Sequence, residues 1–286
     1  MAEVIIMPYG GFCPGVRRAI RLAKRELFRR PGPVYSLGPL IHNTQVVKWL
    51  AAKGLQPVDD IAAIHSGCVI VRAHGTTPQV MEELARRGVT VVDGTCPAVK
   101  RVQERARELA DQGYQVVIVG ERSHPEVQGV VGWAGPRTLV VENAGEAKSL
   151  LPMSKAGVVA QTTLPPEVFR QVTQVLRKKA GELVVEETIC STTRLRQEAA
   201  RKLAQEVDLV VVVGSGSSAN TMRLVEICRA VGTPTYRVED VHDLDPQWFA
   251  KASRVGVAAG ASTPDWVIRR IAGKLEKLTD GGTPMG

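Results

Sequence analysis

One short pattern occurs three times in this chain of 286 residues, and it constrains the fold more than any other feature. In each copy an apolar run leads through a turn to a cysteine, and a segment with basic residues follows. The cysteines are Cys13, Cys96 and Cys190, at intervals of 83 and 94 residues, while one third of the chain is about 95 residues. This spacing predicts three similar α/β units, each with one thiol where a strand ends and a helix begins.

The position of these cysteines favours reactive thiols. A helix N-terminus carries partial positive charge and N–H groups without a helical partner, and both favour the thiolate, which is the form that binds metals. One such cysteine is equally consistent with a small buried residue. Three in equivalent places favour a shared ligand site at the carboxyl ends of strands. By contrast, Cys68 lies inside an apolar strand run and Cys228 on the apolar face of a helix, which predicts core positions.

The segments between the cysteines alternate between β-branched apolar runs and helical periodicity, which predicts an α/β fold with parallel sheets. The first strand, at residues 3–7, is assigned to the first unit, and Cys96 and Cys190 end the first and second units. The predicted units are residues 1–97, 98–192 and 193–280, followed by a flexible tail at 281–286.

The net charge of +8 favours anionic partners, namely phosphorylated metabolites, nucleic acid or an acidic redox protein, without choosing among them. Aromatic residues make up only 4% of the chain, which counts against nucleic-acid binding by base stacking, and no helix-turn-helix pattern occurs. From this sequence we expect no signal peptide, and it contains no apolar run long enough to cross a membrane. We therefore expect a cytoplasmic protein with reduced thiols and no membrane partner.

Three of the five histidines, His42, His74 and His124, follow apolar runs within a few residues. Imidazole can bind metal, donate to phosphate oxygens or transfer protons near neutral pH. Glu126 lies two residues after His124, where a carboxyl group can act as a general acid if its pKa is raised. For each of these four residues a solvated loop position is the alternative interpretation.

A set of hydroxyl and amide side chains occupies the same kind of place, at strand ends just before helices. Such groups often bind phosphate together with the N–H groups of the helix, although plain N-capping is the alternative. The set comprises Thr162, Thr163, Ser218, Asn220 and Ser262.

The chain contains no Cys-x-x-Cys pair, so the spacings of zinc fingers and ferredoxins are absent. Three isolated thiolates, one per unit, can hold an iron–sulfur cluster, and a four-iron cluster bound in this way leaves one iron without a protein ligand. That iron can bind a substrate oxygen as a Lewis acid while the cluster delivers electrons. A catalytic zinc ion with three thiolates is the competing interpretation.

Seven motifs, in order between about residues 3 and 275, resemble those of the LytB family of 4-hydroxy-3-methylbut-2-enyl diphosphate reductases. Together they are far more specific than any one of them. The motifs are Gly11-Phe12-Cys13-x-Gly15-Val16-x-Arg18-Ala19-Ile20, Ile41-His42-Asn43, Arg72-Ala73-His74-Gly75, Asp93-Gly94-Thr95-Cys96-Pro97, His124-Pro125-Glu126, Gln161-Thr162-Thr163-Leu164 and Thr188-Ile189-Cys190.

The resemblance implies a three-lobed α/β fold, a trefoil around a central [4Fe-4S] cluster with three cysteine ligands and one open iron, whose loss gives [3Fe-4S]. It implies reductive removal of a hydroxyl group from an allylic diphosphate, giving isopentenyl and dimethylallyl diphosphate in the last step of the methylerythritol phosphate route. The electron donor would be acidic, such as ferredoxin or flavodoxin. The matching ligand positions are Cys13, Cys96 and Cys190.

The resemblance also assigns roles to other residues. Glu126 matches the acid that protonates the departing hydroxyl, and Thr162, with Thr163 beside it, matches a threonine near that hydroxyl. Ala219 stands where the family usually has a second serine, and Ser191 after the third cysteine also departs from many relatives. The diphosphate-binding set comprises His42, His74, His124, Ser218, Asn220 and Ser262.

Two other functions are consistent with an iron–sulfur protein. A redox-neutral dehydratase would turn over without an external reductant. An iron–sulfur regulator would bind nucleic acid through its basic surface, in a salt-dependent way and without reductase activity. The low aromatic content counts against the regulator, and we expect no nucleic-acid partner.

Overall fold

The computed structural model describes residues 2–279, in which strands and helices alternate. The strands are β1 (Glu3–Ile6), β2 (Val34–Leu37), β3 (Leu55–Val58), β4 (Cys68–Val71), β5 (Thr90–Asp93), β6 (Gln115–Val119), β7 (Leu139–Val141), β8 (Met153–Ala160), β9 (Ala180–Glu186), β10 (Leu209–Val213), β11 (Thr235–Val238) and β12 (Arg254–Ala259). The helices are α1 (Pro14–Arg29), α2 (Thr44–Ala51), α3 (Pro78–Arg86), α4 (Pro97–Asp111), α5 (Pro125–Ala134), α6 (Ala144–Ser149), α7 (Pro166–Leu176), α8 (Ser191–Glu206), α9 (Ala219–Ala230) and α10 (Asp265–Thr279). The predicted tail at 281–286 lies outside the described residues.

The strands form three four-stranded sheets in which every pair is parallel. Sheet 1 has the order β3-β2-β4-β5, sheet 2 has β7-β6-β8-β9, and sheet 3 has β11-β10-β12-β1. The same order therefore occurs three times, with the first and third strands of each set side by side in the centre. The predicted α/β class and the internal repeat are confirmed.

Sheet 3 takes its last strand from the start of the chain. β1 pairs with β12, with Glu3 opposite Arg254 and Ile6 opposite Val257, and the Arg254 guanidinium lies 3.1 Å from the Glu3 carboxylate. This differs from the assignment of residues 3–7 to the first unit. A short apolar run can pair with any open parallel edge, and the chain continues from β12 into α10 without supplying a fourth strand itself.

The described residues divide into two compact units. The terminal unit comprises residues 2–14, 42–46 and 191–279 and contains sheet 3. The central unit comprises residues 15–41 and 47–190 and contains sheets 1 and 2. The three-unit boundaries given above stay a prediction.

The cysteines of the repeat lie where the chain leaves an edge strand and enters a helix. Cys96 connects β5 of sheet 1 to α4, whose Val102 and Ala106 pack in the core of sheet 2. Cys190 connects β9 of sheet 2 to α8, whose Ala200 packs in the core of sheet 3. Cys13 follows β1 and precedes α1.

The remaining two cysteines belong to the hydrophobic core, as predicted. Cys68 and Cys228 are fully buried, and the Cys228 thiol lies 3.7 Å from the carbonyl oxygen of Ala200. Among residues 2–279, no helix combines the length and the apolar character that a membrane span requires.

Candidate active site

The predicted site residues lie at the carboxyl ends of strands, at three recurring places in each sheet. The first place follows β2, β6 or β10, the second follows β4, β8 or β12, and the third follows the edge strand β5, β9 or β1. The chain leaves the two central strands towards opposite edges, and open α/β sheets bind ligands at such a crevice. In the order of sheets 1, 2 and 3, the first place holds His42, then His124 with Glu126, then Ser218 with Asn220. The second place holds His74, Thr162 and Ser262 in the same order. The third place holds Cys96, Cys190 and Cys13.

The three thiol-bearing residues share one backbone interaction. Each donates its amide N–H to the carbonyl oxygen of the second residue beyond the neighbouring central strand, so each lies beside the crevice of a sheet. The donor–acceptor pairs are Cys13 with Ala261 (3.0 Å), Cys96 with Ala73 (2.9 Å) and Cys190 with Thr162 (3.0 Å).

These three thiols fit an iron–sulfur group, whereas the two core thiols do not. All three are half-buried, and no disulfide forms among the described residues. Burial raises the pKa of the Cys68 thiol and raises that of Cys228 to about 11, which disfavours the thiolates that hold iron. The described residues offer no fourth cysteine at an equivalent place, so a four-iron cluster bound here would keep one iron without a cysteine ligand.

Glu126 is a buried carboxyl group at the start of α5. Its exposed fraction is 2%, and both oxygens accept hydrogen bonds from Thr162: from the backbone N–H at 2.6 Å and from the hydroxyl at 2.8 Å. Burial disfavours the carboxylate and outweighs these two bonds, so the pKa of Glu126 rises to about 6. The group therefore keeps a proton at weakly acidic pH, as a general acid must.

The hydrogen bonds of His124 determine which ring nitrogen carries the proton. Its Nδ1 atom accepts a bond of 3.2 Å from the backbone N–H of Glu126 and so caps α5. In the neutral ring the proton must then lie on Nε2, which makes that atom a donor. The ring of His74 lies edge-on to that of His124, with the centroids 5.4 Å apart.

Two residues of α5 hold the loop that carries His74, and neither was predicted from the sequence. Trp133 donates from Nε1 to the carbonyl oxygen of Thr76 at 2.9 Å. A Cβ atom at Gly132 would lie only 2.5 Å from Cγ2 of Thr77, so the absence of a side chain permits the contact. An isolated tryptophan or glycine inside a helix carries no signal in a single sequence that would identify such a contact.

The two threonines after β8 have different partners. Thr162 is buried and bonds to Glu126, while the half-buried Thr163 accepts a hydrogen bond of 3.1 Å from the side chain of Gln161. The carbonyl oxygen of Thr162 is also the acceptor for Cys190. One residue thus connects the acid to the backbone of a thiol-bearing residue within the central unit.

The crevice of sheet 3 contains neutral polar groups. The Ser218 hydroxyl oxygen accepts a bond of 3.3 Å from the N–H of Thr221, so the capping alternative is observed for this residue. Asn220 is 5% exposed, and neither its amide nitrogen nor its amide oxygen has a hydrogen-bond partner among the described residues. Burial of an amide without a partner costs about 1–3 kcal/mol, which makes Asn220 a candidate for contact with a ligand.

The loop after β12 has two anchors in the terminal unit. The hydroxyl of Ser262 donates to the main-chain carbonyl of His42 at 2.8 Å. The hydroxyl of Thr263 donates to the carbonyl of Val213, at the end of β10, also at 2.8 Å. Ser262 is buried and the side chain of His42 is half-buried.

The two crevices therefore suit different steps. In sheet 2, the combination of Glu126, His124 and Thr162 offers a proton donor, an N–H donor and a hydroxyl, which suits proton transfer to a leaving oxygen. In sheet 3, Ser218 and Asn220 offer neutral donors at the N-terminus of α9, which suits the oxygens of an anion.

Comparison with known proteins agrees with this arrangement. A family model described as LytB protein matches residues 4–276. The 4-hydroxy-3-methylbut-2-enyl diphosphate reductase of Geotalea uraniireducens (strain Rf4) is 43% identical over 276 residues, which cover 96% of this chain and 98% of the relative. The enzyme of the same name from Aquifex aeolicus (strain VF5) is 40% identical over 284 residues, which cover 98% of each chain.

Two solved structures are also similar. The E-1-hydroxy-2-methyl-but-2-enyl-4-diphosphate reductase from Plasmodium falciparum has a TM-score of 0.91 and 30% identity, with 95% of this chain and 87% of that chain covered. An (E)-4-hydroxy-3-methyl-but-2-enyl diphosphate reductase, described as the terminal enzyme of the non-mevalonate pathway, has a TM-score of 0.70 and 40% identity, with 97% and 100% covered. The resemblance in the motifs is thereby confirmed, and the chain belongs to the LytB family.

Proposed function

We propose that this chain reduces (E)-4-hydroxy-3-methylbut-2-enyl diphosphate to isopentenyl and dimethylallyl diphosphate, the last step of the methylerythritol phosphate route. Membership of the LytB family supports this substrate. Within the chain, the observation that carries the proposal is Glu126, a buried acid whose pKa is raised to about 6. Loss of an allylic hydroxyl as water needs a proton on the departing oxygen, and a buried acid can hold that proton.

We assign Cys13, Cys96 and Cys190 as the ligands of a [4Fe-4S] cluster. Their equivalent backbone bonds and half-buried thiols support this assignment. When bound, such a cluster supplies electrons singly and, at an iron without a cysteine ligand, a Lewis acid. The reaction consumes two electrons and two protons, breaks one C–O bond, releases water and forms one C–H bond at either end of the allyl group.

The diphosphate is bound by donors from the strand ends. His124 donates from Nε2, because its Nδ1 accepts the helix-capping bond. The Ser218 hydroxyl accepts its capping bond on oxygen, so its own O–H can donate to a phosphate oxygen. Asn220 gains through its amide the partner that the described residues do not supply. The remaining members of the proposed diphosphate-binding set are His42, His74 and Ser262.

Proton transfer to the substrate hydroxyl is assigned to Glu126. Thr162 holds both carboxyl oxygens, so the acid has one orientation when the substrate enters. Thr162, with Thr163 beside it, is placed near the substrate hydroxyl. Burial of Glu126 keeps water from competing for its proton.

The electron donor in this proposal is an acidic protein such as ferredoxin or flavodoxin, which the net charge of +8 favours. We assign the chain to the cytoplasm, because thiolates that hold an iron–sulfur cluster require a reducing compartment.

The test is anaerobic purification with iron and sulfide assays, followed by addition of the substrate with and without a chemical reductant. We expect about four iron and four sulfide per chain, and both isomeric products only when reductant is present. Turnover of the substrate without reductant would indicate the redox-neutral dehydratase, and salt-dependent nucleic-acid binding without turnover would indicate the regulator.

A pair of variants tests the ligand assignment. Cys96→Ser should lose the cluster, because serine is a poor ligand for iron in such a site. Cys228→Ser, which changes a core thiol, is the matched control and should retain it. A four-iron spectrum in Cys96→Ser equal to that of the wild type would contradict the assignment.

A further inference from the structure

An arginine side chain holds the backbone in front of Cys96. Arg18, on α1, donates from Nη1 to the carbonyl of Thr95 and from Nη2 to the carbonyl of Asp93, both at 3.1 Å. The Asp93 carboxylate in turn accepts the N–H of Thr95 at 2.9 Å. A Cβ atom at Gly94 would lie 2.1 Å from the carbonyl oxygen of Val71, so this segment packs directly on the end of β4. The carbonyls of Asp93 and Thr95 and the N–H of Thr95 are therefore all held by side chains.

A second arginine does the same in front of Cys13. Arg196, on α8, is 4% exposed and donates from Nη2 to the carbonyl of Gly11 at 2.9 Å. Gly11 has a φ of 90°, and a Cβ atom there would lie 2.1 Å from the carboxylate of Asp265. The carbonyl of Gly11 thus faces a buried guanidinium in a segment that has no room to rearrange.

The segment before Cys190 is held by a threonine hydroxyl. The hydroxyl of Thr188 bonds to both the N–H and the carbonyl of Ala160, at 2.8 and 2.6 Å. The third segment is thus held by a side chain of its own strand-to-helix connection, whereas the first two depend on a side chain from a helix elsewhere in the chain. The segment before Cys190 therefore serves as an internal control, because replacement of either arginine should leave it unchanged.

We propose that Arg18 and Arg196 are positioning residues, which hold the main chain beside Cys96 and Cys13 so that these thiols are oriented before the cluster binds. The proposal rests on the proposed function, because it gives these thiols the role of cluster ligands. Arg18 lies five residues after Cys13 in the chain, and Arg196 six residues after Cys190. Two of the three helices that follow a thiol-bearing residue, α1 and α8, therefore carry the side chain that holds the segment before another thiol.

Arginine suits this role better than lysine. Its planar fork offers two donors in fixed directions, as the paired bonds from Arg18 require, and it stays charged when buried. Side chains that orient the ligands of a metal group also tune it, since a fixed positive charge nearby favours the reduced, more negative form. Arg18 and Arg196 thus combine a geometric and an electrostatic effect.

Hydrogen exchange of the cluster-free protein tests the geometric effect. In Arg18→Gln the amide of Cys96 should exchange at least about tenfold faster, because a hydrogen bond to a charged group contributes that much. The amides of Cys13 and Cys190 should be unchanged. In Arg196→Gln the amide of Cys13 should accelerate, while those of Cys96 and Cys190 should not. Unchanged exchange, or equal acceleration at all three cysteines, would overturn the proposal.

Matched controls and conservative variants complete the test. Arg21→Gln and Arg201→Gln remove exposed charges from the same two helices and should leave all three amides as in the wild type. Arg18→Lys and Arg196→Lys keep the charge without the fork and serve if the glutamine variants fail to fold. Wild-type exchange in both lysine variants would show that the fork is not needed.

In the cluster-bound protein, the glutamine variants should lose iron to a chelator at least about threefold faster and have a lower midpoint potential. The lysine variants should lose iron faster with the potential kept. Equal potentials in Arg18→Gln, Arg196→Gln and the wild type would overturn the electrostatic part. If the wild type takes up no cluster, the proposed function fails, whereas the exchange result still decides whether the arginines hold these segments.

Discussion

The crevices of sheets 2 and 3 have the same strand order and opposite chemical character. In sheet 2 the crevice holds the buried acid Glu126, whose oxygens are bound by Thr162. In sheet 3 the equivalent places hold Ser218 and the buried amide of Asn220. The repeated backbone therefore supplies only the position, while the identity, the burial and the partners of each side chain set the chemical character of that position.

The two buried groups also differ in how their burial is compensated. Both oxygens of Glu126 are satisfied by Thr162, and burial raises its pKa to about 6, so the carboxyl group is neutral below that pH and needs no counter-charge there. The amide of Asn220 has no hydrogen-bond partner among the described residues. The carboxyl group of Glu126 is therefore satisfied within the protein, whereas the amide of Asn220 is the group that we propose the substrate satisfies.

Replacement of Glu126 is the strongest test of the difference proposed between the crevices of sheets 2 and 3. Glu126→Gln keeps the shape of the side chain but loses the proton, so kcat should fall by about 10³ while KM stays within about threefold. Iron and sulfide contents should equal those of the wild type. Glu121→Gln, on the exposed part of the same loop, is the control. A kcat near the wild-type value would remove the acid role from Glu126.

The next largest effect is expected in sheet 3. Asn220→Ala removes the amide that we assign to the diphosphate, so KM should rise by about 10–100-fold, with kcat reduced by less than about tenfold. Steady-state kinetics measure both constants, and Asn143→Ala, at the exposed cap of α6, is the control. A fall in kcat with KM unchanged would place Asn220 in the chemical step and erase the contrast between the crevices.

Burial of Glu126 should also be measurable as a cost in stability. Because its pKa is about 6 in the folded state and 4.5 for a fully solvated glutamate, the unfolded chain loses the proton first as the pH rises. The destabilisation is absent below pH 4.5, grows between 4.5 and 6, and reaches about 2 kcal/mol above pH 6. Glu126→Gln should therefore be more stable than the wild type by about that amount at pH 8 and equal to it at pH 4.

Denaturant unfolding of the cluster-free protein at the two pH values gives this difference. If the gain at pH 8 is absent, then Glu126 is not desolvated in the folded protein.

The smallest expected effect concerns the pH at which activity declines. In the wild type kcat should fall as the pH rises through about 6, because Glu126 loses its proton. Thr162→Val removes a hydrogen bond that lowers the pKa of Glu126, so the decline should move to higher pH. Thr138→Val, away from the crevice, is the control. A shift to lower pH would mean that the hydroxyl stabilises the protonated form instead.

Much of the site was predictable because its signals are local. A cysteine after an apolar run and before a helix marks a strand end, and three copies marked Cys13, Cys96 and Cys190 as equivalent. Placement of Cys68 and Cys228 in the core followed equally from the apolar runs around them, and their full burial confirms it. The ligand and catalytic roles themselves stay proposals.

Other features depended on residues far apart in the chain. Glu126 was expected beside histidines, but nothing in the sequence indicated that Thr162 would bind both of its oxygens. Arg18 belonged to a motif without having a role of its own, and Arg196 was not singled out. A single sequence carries no signal for such long-range contacts, because the residues concerned show no common period.

By itself, the sequence determined that this protein is an α/β protein with three parallel repeats, and that three of its thiols stand at equivalent strand ends. Only the tertiary structure decided that β1 completes sheet 3 and that burial raises the pKa of Glu126 to about 6. It also decided that Arg18 and Arg196 contact the segments before two of the thiols. The physical reason is that strands, helices and turns follow from neighbouring residues. Edge pairing, desolvation and long-range hydrogen bonds arise only when distant parts of the chain come together.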